Sequence, residues 1–231
     1  MSVEDMDKSI HISSSAMRDN AQFGFSKPHK VFCLIRQGHI AVSCKLELMD
    51  KMNTITHNLE KAGDVKETID RLSVLKMGKV NHNIAYYHSG FKPDANGIAI
   101  KLKAEHYLQF LEFFVAENPD SQTDWLKEYF DSMMSSGYAY GCFDADILVA
   151  AGDLPGIPFM EDTVVETGIC TLEEYRNKGY AKAIIGNGIV AILKDGKVPI
   201  WSCSYTNAGS NALAKSVGFC KFGDVLTIEE Q

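Results

Sequence analysis

The chain has 231 residues, 45% of them hydrophobic, and a formal net charge of -7 at pH 7. That length is long for one small domain and short for two full ones, and the apolar fraction suffices for a sizeable core. The acidic balance argues against a nucleic-acid partner, and no apolar run reaches the ~18 residues a membrane helix needs.

The start, "MSVEDMDKSI", lacks a basic region followed by an apolar run, so it predicts no secretory signal. Six cysteines (Cys33, Cys44, Cys142, Cys170, Cys203, Cys220) lie far apart with no C-x-x-C, and most sit among apolar neighbours. Buried thiols are predicted rather than disulfides or a metal site. The expectation is a cytoplasmic, reduced, metal-free protein with no membrane partner.

In chain order, residues 1 to 28 are polar and read as a loosely ordered arm with room for one short helix. "VFCLI" and "IAVSCKLEL" flank "RQGH" as two strands and a turn. "DVKETIDRLSVLKM" places Val65, Ile69, Leu72 and Leu75 or Lys76 at helical spacing. "NIAYYHS" reads as a strand, and "GFKPDANG", with Pro93, Asn96 and two glycines, as a boundary. Two regions are predicted: residues 1–97, an N-terminal α/β region, and residues 98–231.

The second region begins with the strand "IAIKL". "AEHYLQFLEFFVAEN" follows as a helix, with Tyr107, Leu111, Phe114, Leu108 and Val115 on one face. "DWLKEYFDSMMSS" is a second helix striped by Trp125, Leu126, Tyr129, Phe130, Met133 and Met134. Ser121 with Asp124 offers a capping pattern before it, and Gly137 ends it. "YAYGCFDADILVAAGDL" is a hairpin, and "DTVVETGICT" a strand. A glycine-bearing turn then enters a helix from Ala181 to Lys194. "VPIWSCSYT" is a strand, "SNALAKSV" a short helix stopped by Gly218, and "FCKFGDVLTI" is extended.

Two glycine patterns compete for a phosphate. Gly186-Asn187-Gly188-Ile189-Val190-Ala191 fits the loose dinucleotide pattern G-x-G-x-x-A. That reading needs an acidic residue about 20 positions on, and "TNAGSNALAK" holds none. Gly186 and Gly188 read better as helix residues that let an apolar face (Ala181, Ile185, Gly188, Ile189, Ile192) sit close to a sheet. Arg176-Asn177-Lys178-Gly179-Tyr180-Ala181, by contrast, turns from a strand into a helix. The unpaired amides of the first helical turn make an anion site there. From Arg176 to Lys197 five cationic residues face one acid, Asp195, an inversion of the overall charge that suits an anionic ligand. A basic turn that is merely solvated is the bland alternative.

Arg176, Gly179 and Ala181 fit a [QR]-x-x-G-x-[GA] loop. Asn207, Ser210, Leu213, Gly218 and Phe219 fit a downstream N-x-x-[AS]-x-x-L-x-x-x-x-G-F pattern. Together these motifs resemble the GNAT superfamily of acetyl-CoA-dependent N-acetyltransferases, over roughly residues 98 to 231. The "P-x-W" and "E-x-G-I-x-T" strands look most like a bacterial-type branch with an extra N-terminal domain. The hairpin "VFCLIRQGHIAVSC" faintly echoes "YAYGCFDADILVAAG", a degenerate second copy or simply a generic hairpin.

The resemblance implies an α/β (α+β) fold with a mixed, mostly antiparallel sheet, splayed central strands and flanking helices. It implies that Glu166–Thr171 splays from Pro199–Thr206, with the pantetheine arm of acetyl-CoA in the gap. Backbone groups of Ile169, Cys170 and Thr171 would bond the arm, and an amide near Ile169 or Cys170 would hold the oxyanion. The amides of Arg176, Asn177, Lys178, Gly179, Tyr180 and Ala181 would carry the pyrophosphate. Asn207 would bond the arm or its adenosine end, with Ser210 beside it in the motif. A small-molecule or peptide amine would attack the thioester directly.

Many relatives carry a tyrosine just after the motif's leucine as general acid. Ala214 stands there, so Tyr205 is the nearest substitute, unless the thiolate leaves unassisted. Glu166 is the expected base, against the alternative of a carboxylate paired at a strand edge. Cys170 reads as a packing residue. A catalytically silent acyl-CoA-binding or regulatory protein is the rival reading, and the acceptor, the role of residues 1–97 and oligomeric state, a homodimer among the options, stay open.

Overall fold

A computed structural model describes residues 10–13, 29–59, 63–90, 93, 97–154 and 162–229. The chain packs as two compact units. The first holds Met1–Tyr86, Ser202–Ala208 and Lys221–Gln231, and the second Tyr87–Trp201 and Gly209–Cys220. The sequence suggested one cut after residue 97. The packing instead divides at Tyr86 and returns two later segments to the first unit.

In the first unit β2 (His29–Arg36) and β3 (His39–Cys44) form an antiparallel hairpin. Its two turn residues, Gln37 and Gly38, have φ of 49° and 81°, the double positive φ that matches the twist of a tight hairpin. Alternate residues Val31, Cys33, Ile35, Ile40, Val42 and Cys44 are buried, the period of two that puts one strand face into a core. Leu48 and Met52 of the α1 region (α1, Met49–His57) and Leu72 of α2 (Val65–Val74) close that core. Asp64 caps α2, its side chain accepting the Glu67 amide at 2.9 Å. In this unit strands adjoin in the order β1-β3-β2-β11-β4, where β1 is Ile10–Ser13, β4 is Val80–His88 and β11 is Phe219–Glu229; β10 is Val198–Ser204.

Two features differ from the sequence reading. Residues Ile10–Ser13 are not helical. They form β1, parallel to β3. The rest of the arm lies outside the described residues. Helix α1 was not foreseen, although Leu48, Met52 and Ile55 sit at helical spacing.

The second unit carries an antiparallel sheet in the order β5-β6-β7-β9: β5 (Ala99–Lys101), β6 (Tyr140–Asp144), β7 (Ile147–Gly152) and β9 (Cys170–Thr171). Strand β7 is buried on both faces, as its unbroken apolar run demands. Leu148 and Ala151 join Phe110 and Phe113 of α3 (Tyr107–Glu117) and Leu126, Phe130 and Met133 of α4 (Leu126–Ser136). Val149 and Ala150 join Ala183 and Ile184 of α5 (Tyr180–Lys194). The α3 face was misjudged: Phe110 and Phe113 are buried, whereas Leu108 is 67% and Val115 42% exposed. Ser121 and Asp124 do not cap α4, whose N-cap is Trp125 without a side-chain bond. Gly137, at φ 81°, does end it. The short helix α6 (Ala208–Ser216) stops at Gly218, where φ is 96°.

All six cysteines are free thiols, but only Cys33, Cys44 and Cys142 are buried. Cys170 and Cys203 are half-buried and Cys220 is exposed. Among the described residues, no helix is long and apolar enough to cross a membrane.

The "GNGIVA" stretch is interior to α5, and both glycines are buried. A Cβ on Gly188 would stand 3.0 Å from Leu154 Cδ2, with Leu154 itself wholly buried. Gly188→Val is therefore expected to destabilise the fold by about 1–3 kcal/mol through overpacking. A denaturant midpoint shift measures it, and an unchanged midpoint would contradict close packing as the reason for this glycine.

Candidate active site

The segment from 162 to 171 was expected to be one strand. It is two, with different partners. β8 (Val164–Glu166) pairs parallel with β10, and Glu166 lies opposite Ile200. Thr167 still bonds to that side, its amide and hydroxyl both donating to the Ile200 carbonyl at 2.9 and 2.8 Å. At the next residue the chain changes allegiance: the Gly168 amide donates to the Asp153 carbonyl, just beyond β7, at 2.8 Å. Cys170 and Thr171 then pair with Ala151 and Ala150 of β7, and the Leu172 amide donates to Val149 at 3.0 Å.

This switch is the splay, and it fixes which backbone groups are available. In an antiparallel pair, alternate residues bond to the partner strand. Gly168 and Leu172 bond towards β7, so Cys170 shares their parity, and Ile169 and Thr171 turn their N–H and C=O to the opposite edge. Of the three residues expected to bond a pantetheine arm, Ile169 and Thr171 therefore have the right orientation and Cys170 does not. Ile169 is anchored by its side chain in the α5 cluster. Among the described residues the buried Thr171 hydroxyl oxygen has no hydrogen-bond partner.

After β9 the chain makes a short 3-10 turn, Glu173–Tyr175, and then the basic loop. Asn177 has φ of 61° and Gly179 of 90°. Left-handed residues alternating along a loop turn successive amides inward, a concavity suited to anions. Gly179 is also the N-cap of α5 and no side chain caps the helix, so the amides of Tyr180, Ala181 and Lys182 lack the usual side-chain acceptor. A Cβ on Gly179 would meet nothing within 4 Å, which leaves the approach to the loop open.

The cationic side chains are partly engaged elsewhere. Arg176 Nε donates to the Thr171 carbonyl at 3.0 Å, and its guanidinium lies 3.6 Å from Glu117 Oε2. Arg176 thus ties the loop to the end of β9. The Lys178 ammonium sits over the Tyr175 ring, 4.5 Å from its centroid. The backbone, rather than these side chains, carries the anion geometry.

The titratable groups separate clearly. Glu166 is pushed above the ordinary carboxylate range by burial, and among the described residues no salt bridge reaches it. Cys170 is pushed up to about 12, by burial first and then by the Glu117 carboxylate that its thiol contacts at 3.1 Å. A thiol held protonated is no nucleophile, in keeping with a packing role.

Three expected residues fall in the first unit or serve another contact. Tyr205 and Asn207 belong to the first unit. Tyr205 is 61% exposed and stacks on His82 with ring centroids 4.5 Å apart. His82 in turn contacts Asp224 at 2.9 Å. Ser210 accepts the Trp201 indole N–H at 3.1 Å, which makes it a brace for β10. Ala214 is wholly buried and adds no polar group. Sequence reading missed Asp153 and Tyr129. Tyr129 donates a hydrogen bond to the Asp153 carboxylate, and the Asp153 carbonyl is the partner that receives the splayed strand. "GDL" after a hairpin strand looks like an ordinary turn, and nothing in the sequence links it to a helix residue 24 positions earlier.

A strand that switches partners, followed by a left-handed turn into a helix without a side-chain cap, leaves a free backbone edge beside a turn suited to anions. Residues 124–224 match the family described as GNAT acetyltransferase. The match lies within these residues and covers under half of the chain. Over 111 residues it is 29% identical to the uncharacterized N-acetyltransferase YdfB of Bacillus subtilis (strain 168), a match covering 47% of this chain and 41% of that one. The chain thus spans under half of that relative's length. Solved structures share the fold. A GNAT-family acetyltransferase from Novosphingobium aromaticivorans superposes with a TM-score of 0.51 at 21% identity, covering 66% of each chain. A second, from Colwellia psychrerythraea, reaches 0.57 at 17% identity, over 87% of this chain and 81% of that one.

Proposed function

We propose that the protein transfers an acetyl group from acetyl-CoA to a primary amine by direct attack in a ternary complex. The observation that carries this reading is the strand switch at Thr167–Gly168, which turns the backbone of Ile169 and Thr171 away from β7. The Ile169 backbone and the Thr171 amide bond the pantetheine arm as an added strand does, the Thr171 carbonyl being held by Arg176, with the Thr171 hydroxyl as a further partner. The Ile169 amide is the donor for charge developing on the thioester oxygen. The amides from Asn177 to Ala181 hold the pyrophosphate. Bound acetyl-CoA supplies the acyl group as a thioester, whose thiolate is a good enough leaving group to depart without an acid residue at position 214.

Glu166 is the general base in this account. Its half-buried carboxylate, raised by burial, takes a proton from the attacking amine. Tyr205 and Asn207 remain assigned to the leaving thiol and to the arm or adenosine end, on the strength of the motif alone. A reduced, cytoplasmic setting suits the free thiols.

The buried Ala214 favours one rival, an acyl-CoA-binding protein without turnover. A thiol-release assay with acetyl-CoA and a panel of amines separates the two. Release that depends on amine is the expected result. Tight CoA binding with no release for any amine would establish the rival.

A further inference from the structure

Asp153 and Tyr129 have no role in the account above. Asp153 follows β7 directly, and its carbonyl receives Gly168 at the point where the strand changes partner. It is thus backbone-bonded to the residue next to Ile169. Its carboxylate accepts the Tyr129 hydroxyl of α4. Burial raises the Asp153 carboxyl, and the tyrosine's hydrogen bond pulls it back down. The Tyr129 hydroxyl is itself raised, by burial first and then by Asp153. The tyrosine hydroxyl donates to the carboxylate and so holds Asp153 in place.

Trp125 extends this pair into an aromatic surface. It packs edge-on against Tyr129 at 5.6 Å and against Phe114 at 5.4 Å. Trp125 is 48% and Tyr129 38% exposed. A half-open aromatic face thus ends at a held carboxylate, beside the strand switch. Aromatic faces attract cations and apolar bodies alike, and a carboxylate gives an ammonium a charge-assisted bond.

We propose that Asp153, held by Tyr129, binds the ammonium of the acceptor, and that Trp125 and Tyr129 cover its body. The acceptor is then a primary amine with an apolar or aromatic body. This rests on the acyl-transfer reading. It assigns amine binding to Asp153 and proton removal to Glu166, with Tyr129 a positioning residue.

Among the described residues, few groups adjoin Asp153. From α4 comes Tyr129. Along the bonded strand, past Gly168 and Thr167, the next ionisable residue is Glu166. Leu154 follows Asp153 and is buried, and α5 brings Ile184 against Gly152.

Phenethylamine is the probe. Asp153→Asn should raise its KM at least tenfold, with kcat nearly retained and CoA affinity unchanged. Tyr129→Phe removes a bond that lowers the Asp153 pKa, so the acid limb of kcat/KM for phenethylamine should move to higher pH. Trp125→Ala should raise KM for phenethylamine and leave methylamine unaffected. An unchanged KM in Asp153→Asn, or a loss of CoA affinity equal to the loss for amine, overturns the proposal. If the wild type releases no thiol with any amine, the acyl-transfer reading fails separately. Calorimetry of phenethylamine on the CoA-bound protein then decides: binding lost in Asp153→Asn supports the subsite, and no difference from wild type overturns it.

Discussion

Glu166→Gln is expected to lower kcat by about a hundredfold or more, the usual contribution of a positioned general base, while CoA affinity stays unchanged. The reason is local. Glu166 is the last residue paired with β10 before the strand crosses to β7, so it stands two residues before Gly168 at the switch. Burial raises its carboxyl, and among the described residues no cation pairs with it. Activity should therefore rise with pH through a value above the ordinary carboxylate range, and this limb should vanish in the variant.

Stability gives a second, independent sign. A carboxylate raised in the folded state favours folding most below its unfolded pKa, and that advantage is lost as pH rises through the folded pKa. Glutamine carries no such charge. Glu166→Gln should thus be more stable than wild type near neutrality and lose that advantage in acid. Normal turnover across pH would remove Glu166 as the base. A variant destabilised at neutral pH would point instead to a pairing role.

Gly179→Glu is expected to weaken CoA binding roughly a hundredfold, about 3 kcal/mol, by placing a carboxylate among amides that would hold a pyrophosphate. The fold should survive. A Cβ there meets nothing within 4 Å, so the cost is confined to the backbone. With φ at 90°, a non-glycine residue adds strain of order 1–3 kcal/mol, visible as a lower melting temperature. Gly179→Ala separates the two effects. It carries the same strain without the charge and should keep most of the affinity. Unchanged affinity in Gly179→Glu, measured by calorimetry, would move the pyrophosphate elsewhere.

The parts of this molecule that were legible in the sequence share a cause. The hairpin turns, the span of α5 and the stop at Gly218 follow from local periodicity and from glycines at positive φ. The loop from Arg176 to Ala181 was readable because strand, turn and helix occur within one short stretch. What escaped depends on contacts distant in sequence. The strand from 162 to 171 looks continuous, and only its two partners, Ile200 on one side and Asp153 on the other, break it. The parity that turns Ile169 outward and Cys170 inward follows from that pairing. Tyr129 was read as a core stripe residue, yet it is partly exposed and reaches Asp153. The stripe on α3 failed similarly. Phe110 and Phe113 are the buried pair because the sheet face lies under them, which spacing alone does not specify.

The central claim is that the loop from Arg176 to Ala181 and the edge at Ile169 bind CoA, and that the second glycine pattern does not. A backbone amide NMR titration of the protein with CoA tests this most directly. The account predicts that the largest shifts fall at Asn177 to Ala181, at Ile169 and at Thr171, while Gly186 and Gly188 stay close to their free positions. Large shifts centred on Gly186 and Gly188, with a silent loop, would contradict it.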